Sequence, residues 1–405
     1  MGALSHIRVL DLSRVLAGPW ATQTLGDLGA EIVKIEKPGE GDETRRFGPP
    51  FLTNPDGSKG DAAYFLAANR NKKSVAIDIS KPEGAALVKR LARRAHVLVE
   101  NFKTGTMARY GLDYAALAAE NPALIYCSLT GFGHTGPYKD KAGYDYLIQG
   151  MGGLMSVTGQ PDGAPGAAPM KVGVAVSDLV SGLYTTIAIL AALLHQARTG
   201  VGQEIDMALF DCQAAGLANQ AMNWLAGGMV PKRMGNAHPN IVPYQVFATG
   251  DGFLILAIAN DSQFRRFCKA CGEERLAADA RFATNASRVE NRAALVAILE
   301  PLLRARATAD WIALLEAANV PCGPINRVDE VFADPQAIAR NLIVPLEHPA
   351  GRLDLVASPL RLAKTPPEYR SAPPTLGQHT DEILRDALGL SPNDIAQLRT
   401  AAIIA

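Results

Sequence analysis

Short β-rich runs alternate with helix-like stretches along the first third of the sequence. The β-rich runs are 7–12, 31–35, 74–78, 96–100 and 123–129. Helix-like stretches lie between several of them, at 17–28 and 81–95. Parallel strands need long crossover connections, which are usually helices, so this alternation favours a parallel sheet covered by helices. We therefore predict an open, Rossmann-like α/β domain.

The middle of the chain changes in character. An apolar stretch at 178–200 predicts one long helix, which ends where Gly200 and Gly202 supply the C-cap and turn. After it, 227–243 is rich in Gly, Pro and Asn and predicts a loop or linker. Two strand-like runs separated by a Thr-Gly-Asp-Gly turn then predict a hairpin. With the helical stretches that follow, they indicate a smaller α+β domain at about 225–325.

The overall composition limits the possible partners. Lys and Arg total 40, as do Asp and Glu, so the formal net charge is zero and gives no electrostatic case for nucleic acid or membrane. Five cysteines in this length suit a reducing compartment. The first residues lack the pattern of a secretory signal, and the longest apolar run, 183–194, is too short to span a bilayer. We expect a soluble, cytoplasmic protein.

Common cofactor motifs are missing from the sequence. The first β-rich run is followed by SRVLAGP rather than G-x-G-x-x-G, and no Walker A motif occurs. Cys268 and Cys271 form a C-x-x-C without a second pair at zinc-binding spacing, so core packing explains them better. We therefore expect no metal and no nicotinamide or flavin cofactor.

The unusual residue is Asp178, which lies between an apolar run and an apolar helix. Burying a carboxylate is costly unless it is paired. In one interpretation Ser177 or Asp178 is the N-cap of the helix. In the other, the helix N-terminus holds a carboxylate nucleophile, with backbone N–H groups near it to receive an oxyanion. The two interpretations are compatible, and the residues alone do not separate them.

Ordered segments along nearly the whole chain resemble the class III CoA-transferases, the CaiB/BaiF family. The opening segment, 9–42, reads VLDLSRVLAGPWATQTLGDLGAEIVKIEKPGEGD. A second long segment, 177–211, reads SDLVSGLYTTIAILAALLHQARTGVGQEIDMALFD. The other matching segments are 69–78, 99–114, 128–150, 320–336 and 376–384. Many matches in family order are more specific than any single short motif.

This resemblance implies an activity and a set of site residues. It implies that coenzyme A and acyl-CoA are substrates, and that Asp178 is the nucleophile, carrying the acyl group as an anhydride and CoA as a thioester. The implied phosphate contacts are Lys37, Lys72 and Arg109. The implied adenine and pantetheine contacts are Val15, Leu16, Ala17, Asn101 and Phe102. Tyr144 and Asp145 are implied to line the acyl pocket.

Departures from relatives refine these expectations. Related α-methylacyl-CoA racemases carry a histidine where this chain has Tyr144, so a racemase or epimerase is disfavoured, because proton transfer needs two titratable groups. An acyl-CoA hydrolase and a non-catalytic CoA-binding protein stay open as alternatives. The region 227–240 lacks the four-glycine run of oxalate-specific relatives such as formyl-CoA transferase. Its RMG-A-H…IVPYQ-F pattern is similar to succinyl-CoA-dependent dicarboxylate transferases. We therefore expect succinyl-CoA and a dicarboxylate, with Arg233 and His238 near the distal carboxylate.

The resemblance also implies an architecture. Family members form interlocked homodimers of ring-shaped chains. By this analogy, 1–205 and 330–405 form the large CoA-binding domain and 225–325 forms the small domain. The small molecules and a second copy of the chain are then the expected partners.

Overall fold

The computed structural model describes residues 2–405 and shows a mixed α/β chain. Two compact units are present. The large unit contains 2–154, 172–227 and 338–405, and the small unit contains 155–171 and 228–337. The sequence-based division had placed 155–171 in the large domain. A backbone bond from Gly235 N to Gly159 O joins this segment to the rest of the small unit, and a bond from Met170 N to Thr158 O closes the segment on itself.

The strands, in chain order, are β1 (Arg8–Asp11), β2 (Glu31–Glu36), β3 (Phe51–Thr53), β4 (Lys59–Ala62), β5 (Lys72–Ala76), β6 (Val97–Glu100), β7 (Ile125–Thr130), β8 (Glu204–Ala208), β9 (Tyr244–Ala248), β10 (Phe253–Ala257), β11 (Cys322–Gly323), β12 (Ile343–His348) and β13 (Gly351–Val356).

The helices are α1 (Ala17–Asp27), α2 (Ala63–Leu66), α3 (Pro82–Ala92), α4 (Thr106–Arg109), α5 (Tyr114–Ala118), α6 (Asp145–Met151), α7 (Leu154–Val157), α8 (Val176–Thr199), α9 (Leu209–Gly216), α10 (Ala218–Leu225), α11 (Asp261–Cys271), α12 (Glu274–Ala278), α13 (Asn285–Glu290), α14 (Arg292–Arg304), α15 (Thr308–Ala317), α16 (Val328–Ala333), α17 (Pro335–Ala339), α18 (Thr380–Leu388) and α19 (Pro392–Thr400). A 3₁₀ helix covers Glu43–Arg46.

A six-stranded parallel sheet forms the centre of the large unit, in the order β5-β2-β1-β6-β7-β8. The prediction of a parallel α/β sheet is confirmed. Successive strand residues face opposite sides, so β6 places Val97 and Val99 against α1 and α8, and Leu98 against α3 and α18. Both faces are therefore covered, which is why these strands read as nearly continuous apolar runs.

The long helix α8 begins two residues before the predicted start and ends at Gly200, whose φ of +75° is the left-handed conformation that glycine tolerates. By length and composition it is the one candidate membrane span among residues 2–405, but half of its apolar window is buried inside the protein. It packs against α1, β7 and α9. Its first turn therefore has a fixed place beside the sheet.

Two hairpins of the large unit were missed by the sequence analysis. They are β3–β4 and β12–β13, both antiparallel. After β13 the chain returns to the edge of the central sheet, where Ile404 forms a bridge with Ile77 and Asp78 N donates to Ile403 O. Residues that follow the small unit in sequence thus complete the large unit.

The small unit contains a three-stranded antiparallel sheet, β11-β10-β9, and the predicted hairpin is its β9–β10 pair. Helices pack on it around buried residues such as Phe264, Phe267 and Trp311. Cys268 is buried in the same core and Cys271 packs against it. Core packing therefore accounts for the C-x-x-C motif.

Candidate active site

The first turn of α8 is capped from outside the helix. The N-cap position is Ala175, which has no side chain that could accept a hydrogen bond. Instead, Asp145 Oδ1 accepts from the backbone N–H groups of Ser177, at 2.8 Å, and Asp178, at 3.3 Å. The interpretation of Ser177 or Asp178 as the N-cap is therefore wrong, because both lie inside the helix. The capping carboxylate belongs to the start of α6.

The carboxyl group of Asp178 is buried and lacks a counter-charge. The residue is 8% exposed, and no ion pair within residues 2–405 involves it. Burial first, and then the neighbouring Asp145, raises the pKa of Asp178 to about 7. A carboxyl group in this environment is about half ionised near neutral pH. Its ionised form is poorly solvated, and such an environment is typical of carboxylates that take part in reactions.

The neighbouring Asp145 is itself well supplied with donors. Besides the two helix amides, its Oδ2 accepts from Gln149 Nε2 at 2.7 Å. Gln149 in turn accepts from the backbone of Val172 at 2.9 Å. These bonds fix Asp145 in place, so the two carboxylates remain adjacent and differ in their surroundings.

Asp178 opens into a cavity of about 380 Å³, which we call the Asp178 cavity. It is a feature of the large unit, on the side where β1, β6 and β7 end. Most of the predicted contacts meet here: Val15, Leu16, Ala17, Asn101, Phe102, Tyr144 and Asp145 all line it. The location fits the rule that ligands of open α/β sheets bind at the carboxyl ends of the strands.

The turn after β1 has a strained backbone at Val15. Its φ is +69°, which is unusual for a β-branched residue. Asp42 Oδ1 accepts from Val15 N at 3.2 Å, and Asn101 bonds both backbone N and O of Arg14. These contacts from two other loops hold the turn against the cavity.

Two further cavities of the large unit continue from this one. The Lys37 cavity, of about 280 Å³, is lined by charged residues and by apolar residues that include Leu12, Ile77 and Phe102. Predicted contact Lys37 lies at its edge, exposed and paired with Glu40 at 2.5 Å. The Arg109 cavity contains the predicted contact Arg109 together with Lys81 and Lys89. It shares Ile79, Ser80 and Tyr110 with the Lys37 cavity.

Lys72 does not lie in any of these cavities. Its side chain is buried, and Nζ donates to Asp11 Oδ2, Pro19 O and Asn69 Oδ1, each at 3.0 Å. An ammonium group has three donors, and all three are used within the protein. Burial lowers the pKa of Lys72 to about 8, against the opposing effect of Asp11. The prediction that Lys72 contacts a phosphate is therefore wrong.

The two residues predicted to meet a distal carboxylate lie in the small unit. Arg233 forms an ion pair with Asp162 and donates to Gln160 O at 3.2 Å. The ring of His238 packs edge-on against Tyr244, with centroids 5.3 Å apart, and accepts from Asn240 N. Asp178 and the lining of its cavity belong to the large unit instead. Contact of Arg233 and His238 with a distal carboxylate therefore stays a prediction.

Several lining residues were missed by the sequence analysis. They include Arg14, Glu43, Phe47, Lys103, Lys139 and Lys141. The three lysines lie on the loops that follow β6 and β7, so their position after buried parallel strands was the available signal. No cluster of His, Cys, Asp or Glu suited to a metal ion occurs within the described residues 2–405.

Comparison with known proteins adds independent findings. The model of CoA-transferase family III matches residues 4–380. The succinate–glutarate CoA-transferase of Agrobacterium fabrum is 52% identical over 384 residues, which cover 95% of each chain. The succinyl-CoA:glutarate CoA-transferase of Mus musculus is 42% identical, covering 100% of this chain and 91% of that protein. A solved CaiB/BaiF family protein from Brucella suis superposes with a TM-score of 0.84 at 50% identity, covering 95% of this chain and 99% of the other.

Proposed function

The chain belongs to CoA-transferase family III and is a CoA-transferase, and we propose that it moves CoA from succinyl-CoA to glutarate through covalent intermediates on Asp178. The names of the relatives with 52% and 42% identity support this pair of acids. A relative of Chloroflexus aurantiacus named for D-citramalate is 37% identical over 99% of this chain, so other dicarboxylates belong in the test.

The observation that carries the mechanism is the burial of Asp178 without a counter-charge. A carboxylate that served only stability would be paired or solvent-exposed. Here burial and Asp145 destabilise the ionised form at the wall of a cavity. Converting the carboxylate into a neutral anhydride or thioester relieves this cost. The environment therefore favours acylation of Asp178.

The reaction proceeds in four exchanges. An Asp178 carboxylate oxygen attacks the succinyl thioester carbon, the C–S bond breaks, and the products are a succinyl-aspartyl mixed anhydride and the CoA thiolate. The thiolate attacks the aspartyl carbonyl carbon, which releases succinate and forms aspartyl-CoA. Glutarate attacks this thioester and forms a second anhydride with release of the thiolate. The thiolate then takes the glutaryl group and regenerates Asp178. Each step exchanges activated acyl bonds, so no ATP is consumed.

The amides of the first α8 turn are not free to stabilise the oxyanion of these steps. Ser177 N and Asp178 N already donate to Asp145. The sequence analysis had assigned the oxyanion to backbone N–H groups at this helix end. In the proposed mechanism these two amides fix the position of Asp178, and the oxyanion needs other donors.

The cavities accommodate the parts of CoA in order. The proposal places the adenine against the apolar lining of the Lys37 cavity and a phosphate near Arg109. The pantetheine arm passes Val15, Asn101 and Phe102 to reach Asp178. Lys37 and Arg109 remain phosphate contacts in this proposal, whereas Lys72 does not.

Exposed apolar side chains support the proposed homodimer. On α8, Leu183, Tyr184 and Ile187 are 49%, 43% and 60% exposed, and on α10 Trp224 and Leu225 are 53% and 74% exposed. Apolar surface of this extent on helices marks an interaction site. An interlocked pair of chains would cover it, and light scattering after gel filtration measures the mass.

The five cysteines are free thiols, which supports a reducing, cytoplasmic environment.

The test of the proposed function mixes the protein with succinyl-CoA and one free acid: glutarate, oxalate, malate, citramalate, itaconate or mesaconate. Mass spectrometry follows new acyl-CoA products and any CoA adduct on the peptide containing Asp178. We expect glutaryl-CoA with wild type and none with Asp178→Ala. Free CoA without acceptor would favour the hydrolase, and transfer by the variant at the wild-type rate would contradict the mechanism.

A further inference from the structure

Three residues line both the Asp178 cavity and the Lys37 cavity. They are Arg14, Glu43 and Phe102. In the proposed function the nucleotide of CoA occupies the Lys37 cavity and the thioester reaches the Asp178 cavity. The diphosphate that joins the nucleotide to the pantetheine arm then has to pass this junction.

An ion pair crosses the junction. Arg14 Nη1 donates to Glu43 Oε1 at 2.5 Å, and the guanidinium carbon lies 4.8 Å from the centroid of the Phe102 ring. The backbones at both ends are anchored, Arg14 by Asn101 and the 3₁₀ helix of Glu43 by its N-cap Asp42. Opening the junction therefore requires movement of two side chains and none of the backbone.

Arg14 can easily exchange Glu43 for another anionic partner. The side chains of Arg14 and Glu43 are 39% and 36% exposed, and ion pairs this accessible contribute little stability. The contact is also incomplete, because Arg14 Nε and Glu43 Oε2 have no hydrogen-bond partner among residues 2–405. A guanidinium prefers two parallel bonds to an oxyanion, and a diphosphate offers several anionic oxygens.

We propose that the Arg14–Glu43 pair is a gate that the diphosphate of acyl-CoA opens by replacing Glu43 as the partner of Arg14. This inference rests on the proposed function and adds a source of substrate selection to it. A thioester that lacks the diphosphate cannot replace Glu43, so its pantetheine arm meets a closed junction. The protein therefore selects complete acyl-CoA over acyl-pantetheine, using binding energy remote from the reacting bond.

The test compares succinyl-CoA with succinyl-pantetheine as donors to glutarate in Arg14→Gln and Glu43→Gln. Arg14→Gln removes the guanidinium group and raises KM for succinyl-CoA by roughly tenfold or more. The same variant leaves kcat/KM for succinyl-pantetheine unchanged or raises it. Glu43→Gln opens the junction without removing the phosphate contact. It raises kcat/KM for succinyl-pantetheine several-fold and does not lower kcat/KM for succinyl-CoA. The two variants thus differ in their effect on succinyl-CoA, which only Arg14→Gln impairs.

A control removes another, more exposed ion pair far from the cavities. Arg352 pairs with Asp354 on β13, with side chains 65% and 56% exposed, and Arg352→Gln leaves both donors at wild-type rates. The gate is overturned if Arg14→Gln and Glu43→Gln change both donors by the same factor or change neither. Thermal unfolding verifies each fold, and Glu43→Gln tests the gate alone if Arg14→Gln does not fold.

Calorimetry separates this inference from the proposed function, because it needs no transfer. Arg14→Gln weakens the binding of CoA by roughly tenfold and leaves the binding of pantetheine unchanged. If wild type shows this dependence but transfers CoA to no acid, the gate stands and the proposed function fails. If CoA binding does not depend on Arg14, the gate fails whatever the activity.

Discussion

Two buried aspartates of the large unit, Asp11 and Asp178, have opposite surroundings. Asp11, at the end of β1, has no exposed surface and pairs with Lys72 at 3.0 Å. Burial acts to raise its pKa, but Lys72, Lys34 and bonds from Ser13 and Thr22 together hold the pKa of Asp11 at about 2. Asp178 has a pKa of about 7, because its burial raises the pKa without opposition from a cation and the carboxylate of Asp145 raises it further.

This difference separates a structural charge from a proposed reactive one. The Asp11 region is a closed network in which Lys34 also pairs with Asp42 at 3.0 Å and donates to Ser13 O at 2.7 Å. That network supports the loops around the cavities. The Asp178 region leaves one carboxylate uncompensated beside open space. Burial alone does not point to a functional residue, whereas burial without compensation at the wall of a cavity makes Asp178 a candidate.

The largest expected effect is on activity. Replacing Asp178 by Asn removes the proposed nucleophile and lowers CoA transfer by at least roughly a thousandfold. Initial rates with succinyl-CoA and glutarate measure this, and circular dichroism verifies the fold. A variant that retained more than a tenth of the wild-type rate would contradict the reactive role.

The next effect concerns stability in the compensated region. Asp11→Asn leaves Lys72 and Lys34 buried without their shared counter-charge, so the free energy of unfolding falls by about 3–5 kcal/mol. Urea unfolding measures the change. The matched control Asp386→Asn breaks an exposed pair with Arg385 and changes stability by less than about 1 kcal/mol. Equal losses for both variants would show that the network is not stabilising.

Replacing the uncompensated carboxylate of Asp178 is expected to raise the free energy of unfolding, whereas replacing that of Asp11 lowers it. Because folding raises the pKa of Asp178, the folded state binds the proton more tightly than the unfolded state, and wild-type stability falls as pH rises from about 4 through 7. Asn carries no such cost. Asp178→Asn therefore raises the free energy of unfolding by about 2–4 kcal/mol at pH 8, and the gain disappears at pH 4. A gain that did not depend on pH would have another cause.

The smallest effect concerns the influence of Asp145 on Asp178. Transfer requires ionised Asp178, so kcat/KM rises with pH through about 7. Asp145→Asn removes the like charge but keeps an oxygen that can accept from the α8 amides. The rise then moves to lower pH by about one unit. Asp145→Ala, which also loses the cap, lowers the melting temperature, and an unshifted profile in Asp145→Asn would exclude an electrostatic role.

The sequence predicted the regions that follow strong local rules. Buried parallel strands and the apolar helix α8 have clear patterns, so the central sheet and the position of Asp178 were predictable. Strand β4, Lys59–Ala62, contains Lys, Gly, Asp and Ala, which are all depleted in strands, and it was missed. Lys72 lies in NRNKK, which reads as a basic surface, but its partners Asp11 and Pro19 are more than fifty residues away.

The capping of α8 could not have been predicted for the same reason. Asp145 is 32 residues from Ser177 in sequence, and only the folded chain brings it to the helix. Val15 likewise has a strained φ because Asp42, from a different loop, holds its backbone N–H group. Contacts distant in sequence determine the details of the site, and local patterns contain no record of them.

The interruption of the large unit by the small one has a consequence for biosynthesis. A ribosome releases residues 228–337 before 338–405, and the latter supply the segment around Ile404 that joins the sheet edge at Ile77. The small unit is therefore complete as a nascent chain while the β5 edge of the central sheet is still uncovered. Although its first strand is made early, the large unit can complete this sheet edge only after the small unit has been synthesised, and an uncovered strand edge exposes unpaired backbone groups until then.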